Sequence, residues 1–394
     1  MEFNNIVITN AKRTPIGKFS GGLASLSAVE MGVHAVKAVL EESGIAPALI
    51  DEVYMGHARQ AGCGPNPARQ VTINAGIPET AIATTVNQAC ASGLKAIVLG
   101  AQQIQLGQAE IVLAGGMESM SNVPHMLDRM RDGYRLGHGQ IVDLMYRDGF
   151  HCPLADQLMG RTAETLREQY NLTRDEQDEF AALSHNKAES AIKLGAFQAE
   201  ISPITIKHRK GDVTIENDEP VREGQNTKAL AKLQPVFMDG GSVTAGNASG
   251  ITDGASALLL MSADKAKELG LEVLARLEGF AFAGVDPKVM GIGPVPATQK
   301  LNKALGLKIE DYDLVELNEA FAAQVLACDR ELKIPSDRLN VNGGAIALGH
   351  PIGNTGARIV TTLAHAMKQR GVNRGLATLC VSGGLGAALS IVRE

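Results

Sequence analysis

With 394 residues, of which 45% are hydrophobic and 20% charged, the chain is long and apolar enough to bury a core without metals or disulfides, and wholesale disorder is excluded. That length allows two or three domains, or one large α/β unit with an insertion. The net charge of −6 argues against a nucleic-acid or anionic-membrane protein, which needs a basic face, and leaves room for a local basic patch that takes a phosphorylated small molecule.

The first predicted strand runs from Ile6 to Thr9, followed by a turn at Arg13-Thr14-Pro15. A helix comes next: Ser27 and Glu30 have capping-box spacing, Val33, Val36 and Leu40 recur at the helical period, and Gly44 stops it. Val53 to Met55, Ala81 to Val86 and Ala109 to Ala114 read as further strands, with a helix-like segment between the last two. From about Ser121 to Val243 the texture changes, as charges, Met, Gly and Pro rise and the strand–helix alternation fades. Within this stretch Thr173 and Glu176 form a second capping box, Phe180, Leu183, Ala188 and Ile192 continue a helix, and Gly195 ends it. An exposed hairpin is expected around Lys210-Gly211-Asp212. The stretch reads as an insertion that covers a site, and the α/β pattern resumes near Ala255. Strands alternating with helices imply α/β layers and a largely parallel sheet.

The two halves echo each other. Val86-Asn87 precedes a helix-like run from Gly93 to Gly107 and the strand AEIVLAGG; Val341-Asn342 precedes a run from Gly356 to Gly371 and then GLATLCVSGG. A duplicated βα unit of this kind would bring two strand-to-helix turns to a shared centre, where open α/β sheets place their sites. The five cysteines (Cys63, Cys90, Cys152, Cys328 and Cys380) are odd in number, widely spaced and without a CxxC, so neither a disulfide framework nor a metal site is expected. A reducing, cytoplasmic compartment fits. The polar N-terminus and the lack of an apolar run near 20 residues predict no signal peptide and no membrane insertion.

Five segments bear on chemistry. In VNQACASGLKAI, Cys90 sits where a strand passes into a helix, whose unpaired N–H groups favour thiolate; a buried structural cysteine is the competing reading. In NGGAIALGHPIGNTGARIV, five glycines surround His350, as if to hold an imidazole base for a cysteine; a phosphate-cradling loop is the alternative, but neither a Walker pattern nor GxGxxG is present. Cys380 ends a strand before GGLGAA and would suit a proton donor and acceptor, or else a core thiol. Asn318 and Glu319 fall at a strand-to-helix junction, either orienting groups in a site or capping the helix. Asn247 and Ser249 lie among small residues that form either a close-approach surface or a plain turn.

Taken together the motifs resemble the thiolases, acetyl-CoA C-acetyltransferases and 3-ketoacyl-CoA thiolases. The likeness runs from Ala11-Lys12-Arg13-Thr14-Pro15-Ile16-Gly17 through Asn87-Gln88-Ala89-Cys90-Ala91-Ser92-Gly93, Gly246-Asn247-Ala248-Ser249-Gly250 and Asn318-Glu319-Ala320-Phe321 to the stretch from Asn342 to Pro351 and the C-terminal glycines. The resemblance implies an α/β class fold with five layers, α-β-α-β-α, built from two similar halves. It divides the chain into an N-terminal half of residues 1–120 plus 244–272, a loop domain of 121–243 over the CoA site, and a C-terminal half of 273–394. It implies that Cys90 takes the acyl group, His350 activates it, Cys380 moves the proton of the second substrate, and Asn318 holds a water that works with His350. The backbone N–H groups of Cys90 and of the Cys380 loop would stabilise the acyl-transfer oxyanion. Met159, Phe237, Ala245, Ser249, Met290 and Phe321 would line the pantetheine tunnel, and Arg222 would lie near the nucleotide end of CoA. Acetyl-CoA, 3-ketoacyl-CoA and CoA would come and go as substrates with no permanently bound cofactor. A homodimer or a homotetramer, with the loop from Met126 to Gly139 as tetramer contact, is implied as well.

Two positions depart from the family pattern. Ser382 stands where glycine is usual, and Leu158 stands where acetoacetyl-specific members carry His before Met159-Gly160, which leaves acyl chain length open. Three other readings are weaker. A ketoacyl synthase would pair its cysteine with two histidines, but Asn318 holds the second place. A non-catalytic acyl-CoA carrier would have lost Cys90, His350 or Cys380. A nicotinamide dehydrogenase would need the missing dinucleotide fingerprint.

Overall fold

The computed structural model describes residue 3, residues 5–207, residue 209 and residues 211–393. The elements that place the site are, in chain order, β1 (Ile6–Arg13), α1 (Ala28–Ser43), β2 (Glu52–Gly56), β3 (Ile82–Val86), α2 (Ser92–Gln105), β4 (Ile111–Ser119), α3 (Arg174–Lys193), β5 (Thr252–Ser262), β6 (Ala275–Gly284), β7 (Leu314–Leu317), α4 (Ile352–Arg370), β8 (Arg374–Val381) and β9 (Leu385–Val392). Both expected capping boxes form. The Ser27 side chain accepts the Glu30 N–H while the Glu30 carboxylate accepts the Ser27 N–H, and Gly44 at φ 68° closes α1. Thr173 and Glu176 do the same for α3. The strands Ile204–Ile206 and Val213–Ile215 pair as the expected hairpin, although Lys210 lies outside the described residues.

The labelled strands lie in the order β7-β8-β9-β6-β1-β5-β4-β2-β3. The expectation of a largely parallel sheet is overturned. Only β7–β8, β2–β4 and β2–β3 run parallel, while β1–β5, β1–β6, β5–β4, β6–β9 and β8–β9 are antiparallel. No helix separates β8 from β9. A turn through Gly383 and Gly384, at φ 86° and 85°, folds the chain straight back, and a connection that short makes only a hairpin.

The sheet is built twice. Outward from its middle, β1-β5-β4-β2-β3 matches β6-β9-β8-β7 plus a parallel bridge between Val315 and Leu339, with the same sense at every step. Gly56 pairs with Val86, and the bridge carries Leu317 to the level of Val341, so the register restates the Val86-Asn87 and Val341-Asn342 echo. In that register His57 corresponds to Asn318 and Glu118 to Cys380.

Period-2 alternation sorts the strands into layers. Leu258, Leu260, Val112 and Ala114 face one way and meet α2 and α4, whose other side packs on Leu277, Ala377, Leu379 and Leu389. Leu259, Met261 and Leu113 face outward under α1. On the far side Leu317, Leu376 and Ala388 carry the helices Pro294–Leu305 and Ala322–Leu332. Helix, sheet, helix, sheet and helix make five layers. The middle pair touches backbone to backbone, since a Cβ on Gly93 would fall 2.6 Å from the Ala357 nitrogen and one on Gly356 would strike the Leu94 nitrogen. Helix α4 starts at Ile352 rather than at Gly356, because burial of its whole first turn outweighs the poor helix propensity of its glycines.

Candidate active site

Cys90 lies two residues before the first residue of α2, and His350 lies two residues before the first residue of α4. The duplicated turns therefore deliver a thiol and an imidazole to the crossing of the two helices. The turn at Cys90 is an elbow. Ala89 sits at φ 45°, a left-handed conformation that costs about 1–2 kcal/mol outside glycine. It is held by the Ala89 N–H on Asn87 Oδ1 at 3.0 Å and by the Ser92 hydroxyl, which accepts the Gln88 N–H at 2.9 Å and donates to the Ala89 carbonyl at 2.6 Å. Burial pushes the Cys90 thiol up; the Ser382 N–H on its sulfur, the Arg59 charge and its own N–H pull it back. Ser382 thus keeps the donor that the usual glycine would give. Cys90 packs against a cluster of Ala58, Met120, Met145 and Ile352, on which Phe150 also lies.

His350 Nδ1 lies 2.6 Å from Thr355 Oγ1, and the Thr355 hydroxyl donates to the Pro351 carbonyl at 3.0 Å. With the hydroxyl proton committed there, Nδ1–H donates to Oγ1 and Nε2 keeps a free lone pair. Burial first, then Arg358 and Arg59, push this imidazole down to about 3, so it is a neutral base at neutral pH. The Cys380 thiol is raised well above its usual range by burial and then by the charge of Cys90, which places the two sulfurs within electrostatic reach. Asn318 is 1% exposed, and neither its amide oxygen nor its amide nitrogen has a partner. A buried amide left open on both atoms is costly unless a water or substrate fills the gap. Glu319 is instead fully committed, accepting from Ser184 at 2.6 Å, Asn340 at 2.8 Å and the Ile346 N–H at 3.1 Å.

Of the residues expected around CoA, Met159, Phe237, Met290 and Phe321 share one apolar cluster with Cys380, with the Phe237 and Phe321 rings edge to face at 6.1 Å. Ser249 is half-buried and its N–H donates to the Ala320 carbonyl at 3.0 Å, which ties its loop to the Asn318 segment. Asn247 is structural, donating to Asp178 at 2.9 Å and accepting the Thr244 N–H at 2.8 Å. Arg222 and Ala245 are exposed, and the Arg222 backbone N–H donates to His185 Nδ1 at 3.1 Å. Leu158 is half-buried, pairing with His151 in a two-residue hairpin just before Met159.

Four residues at the site were not singled out in the sequence. Thr355 orients His350. Glu118 accepts the N–H groups of Ala58 at 3.2 Å, Arg59 at 3.0 Å and Gly353 at 2.8 Å, so one carboxylate ties the loop after β2 to the His350 helix. His57 Nε2 lies 3.2 Å from Glu118 Oε1, off the line of a directed hydrogen bond. Burial pulls this imidazole down, but Cys63 and Glu118 outweigh it and raise it to about 9. Arg59 is the fourth. The available signal was a carboxylate, Glu118, inside the otherwise apolar run IVLAGGMES.

The N-terminal thiolase domain model matches residues 6–264 and the C-terminal thiolase domain model matches residues 271–393. The chain belongs to the thiolase family. It is an acyltransferase by that membership. This thiolase is 52% identical over 391 residues to the acetyl-CoA acetyltransferase of Pseudomonas aeruginosa, covering 99% of this chain and 100% of that one. The Bacillus anthracis acetyl-CoA acetyltransferase superposes with a TM-score of 0.97 at 48% identity, covering 99% of each chain. Human mitochondrial 3-ketoacyl-CoA thiolase superposes with a TM-score of 0.96 at 40% identity, also covering 99% of each.

Proposed function

We propose that this thiolase is an acetyl-CoA C-acetyltransferase, interconverting two acetyl-CoA with acetoacetyl-CoA and CoA through an acyl-cysteine on Cys90. The observation that carries the reading is the delivery of Cys90 and of a neutral His350, whose Nδ1 is held by Thr355, by the matching turns before the two helices that cross at Gly93 and Gly356, with the Asn318 amide left without partners. In the cleavage direction His350 Nε2 takes the Cys90 proton and the thiolate attacks the 3-keto carbon. The C2–C3 bond breaks, its electron pair leaves as the enolate of acetyl-CoA, and Cys380 protonates that carbon. CoA thiol then attacks the Cys90 thioester, passing its proton to Cys380, and acyl-CoA leaves as the sulfur regains its charge. Asn318, through a water shared with His350, stabilises the enolate oxygen, and the N–H groups of Cys90 and of the Cys380 loop stabilise the acyl-transfer oxyanion, an effect of about 10²–10³-fold per donor. Splitting the carbon–carbon step suits a thiolate because it both attacks and leaves well.

Met159, Phe237, Met290 and Phe321 form the apolar wall beside Cys380 for pantetheine in this reading, with Ser249 and Ala245 on the loop above and the exposed Arg222 toward the nucleotide. CoA and its thioesters act as substrates. The division at 1–120 with 244–272, 121–243 and 273–394 follows the two matched sheet halves and the stretch between β4 and β5. A homodimer or homotetramer is supported by the edge position of β3, where Ile82 is 62% exposed, and by exposed Met130, Tyr134 and Leu136 in the loop of residues 126–139. A cytoplasmic setting is supported by free thiols at all five cysteines. No helix among the described residues is long and apolar enough to cross a membrane.

Leu158 favours a second reading, a thiolase for longer 3-ketoacyl chains, because it puts an apolar side chain where a polar one would greet a short acyl group. CoA-dependent thiolysis across 3-ketoacyl-CoA chain lengths, with Cys90→Ser alongside, separates the two. Activity greatest on acetoacetyl-CoA and lost in Cys90→Ser is expected; a preference for longer chains selects the second reading, and CoA binding without turnover at any length removes both.

A further inference from the structure

Arg222 is exposed, and a long side chain on a free backbone would spend much of its contact energy with a ligand on ordering itself. Its backbone is not free. Upstream, Asp218 accepts Nη1 and Nη2 of the fully buried Arg13 at 2.7 and 2.9 Å and the Ile16 N–H at 2.8 Å. Glu219 accepts the N–H groups of Lys18 and Gly22 at 3.0 Å each. Val221 then packs on a cluster that holds Ile16, Ala188, Ala347 and Leu348. From Arg222 onward the holder is α3. His185 Nδ1 accepts the Arg222 N–H at 3.1 Å, and Glu189 accepts the Gly224 N–H at 2.8 Å. His185 and Glu189 are four residues apart on one helix and share a face, so together they clamp the chain on both sides of the Arg222 carbonyl.

We propose that His185 and Glu189 are positioning residues that set Arg222 for the nucleotide end of CoA. The inference rests on the reading of Arg222 as the nucleotide contact and adds what holds it in place. His185 is 3% exposed. A backbone N–H only donates, so Nδ1 carries the lone pair and the ring proton sits on Nε2. Burial, then the Arg222 charge, push this imidazole down to about 4, and the acceptor persists through the neutral range. The next residue back on α3 reaches the reactive end. Ser184 donates to Glu319 at 2.6 Å and accepts the Gly344 N–H at 3.1 Å, which bonds the helix to the segments that carry Asn318 and His350. A remote anchor helps to place a reacting thiol only when anchor and reaction centre keep a fixed separation. One helix bonded to both ends supplies that link.

The test is thiolysis of a 3-ketoacyl-CoA by the full chain, with either CoA or pantetheine, which lacks the nucleotide, as the accepting thiol. His185→Leu is expected to raise KM for CoA about three- to tenfold, the worth of one backbone hydrogen bond, with kcat and KM for pantetheine unchanged. His185→Asn, whose amide oxygen can take the place of Nδ1, keeps KM for CoA near wild type. Glu189→Ala, at a half-buried position, raises it about two- to threefold. A folded His185→Leu protein with an unchanged KM for CoA overturns the proposal, and so does a rise shared equally by pantetheine, which marks a general loss of structure. Should His185→Leu fail to fold, an unchanged KM for CoA in Glu189→Ala overturns it. Arg222→Gln separates the inference from its premise. Its KM for CoA is expected to rise at least as far as that of His185→Leu, and no rise removes the Arg222 reading and this inference together.

Discussion

At the end of β2 the N-terminal half of the sheet carries His57, and at the matching end of β7 the C-terminal half carries Asn318. One strand over, Glu118 answers Cys380. The first pair is closed. Glu118 is spent on three backbone N–H groups and on His57, and its own carboxyl lies below the usual range because His57 and Arg59 outweigh the cost of burial. The second pair is open, with both amide atoms of Asn318 unpartnered and a thiol raised by burial. The same backbone thus builds a brace in one half and, in the proposed mechanism, a reaction chamber in the other. Duplication supplied the geometry, and the side chains at four equivalent positions decide which half braces and which reacts.

The sharpest test of that division is to remove one member from each half. Cys380→Ser is expected to lower turnover by about 10²–10⁴-fold, the usual worth of a positioned proton carrier, with little change in the urea midpoint. Glu118→Gln is expected to act on stability, costing about 3–5 kcal/mol in urea unfolding, because the His57 cation is left buried without its counter-charge. A Cys380→Ser protein as unstable as Glu118→Gln would break the comparison. Asn318→Ala follows, with about 10²-fold lost from kcat and little change in the thermal midpoint, since neither amide atom bonds another protein group. The smallest effect is a pH dependence of stability. His57 has a raised pKa, so its contribution is complete below about 6.5, the free imidazole value, and is lost as pH rises through about 9. Glu118, lowered, contributes above its ordinary value and loses that contribution only as acid is added. Urea midpoints at pH 6.5 and at pH 9.5 are expected to fall further in the wild type than in His57→Asn. Equal falls would show that the brace carries no charge.

Much of the fold and the centre of the site were legible in the sequence. Local chemistry with a fixed spacing survives into the structure: the two capping boxes rest on contacts three residues apart, and the strand before Cys90 and the Val86-Asn87 echo show as patterns along the chain. Strand direction did not read out. It depends on which strands lie side by side, and β1 is flanked by β5 and β6, from the middle of the chain. The start of α4 was misplaced for a related reason, since glycines that look like loop are there to let α2 come close. In the site, Cys90 and His350 stood out because each lies among small residues, Cys380 because it ends a strand before a glycine run, and Asn318 because it stands at a strand-to-helix junction. Glu118, His57 and Arg59 were not. Their meaning lies in pairing across strands separated by more than fifty residues.

The crossing of α2 and α4 also orders events during synthesis. Cys90 leaves the ribosome early, while the imidazole that accepts its proton in the proposed mechanism and the Ser382 N–H that touches its sulfur are encoded near the far end of the chain. At about 5–20 residues per second that interval lasts on the order of 15–60 s. In that mechanism the N-terminal half carries a thiol without its base through this interval, and the nucleophile is complete only when the chain is.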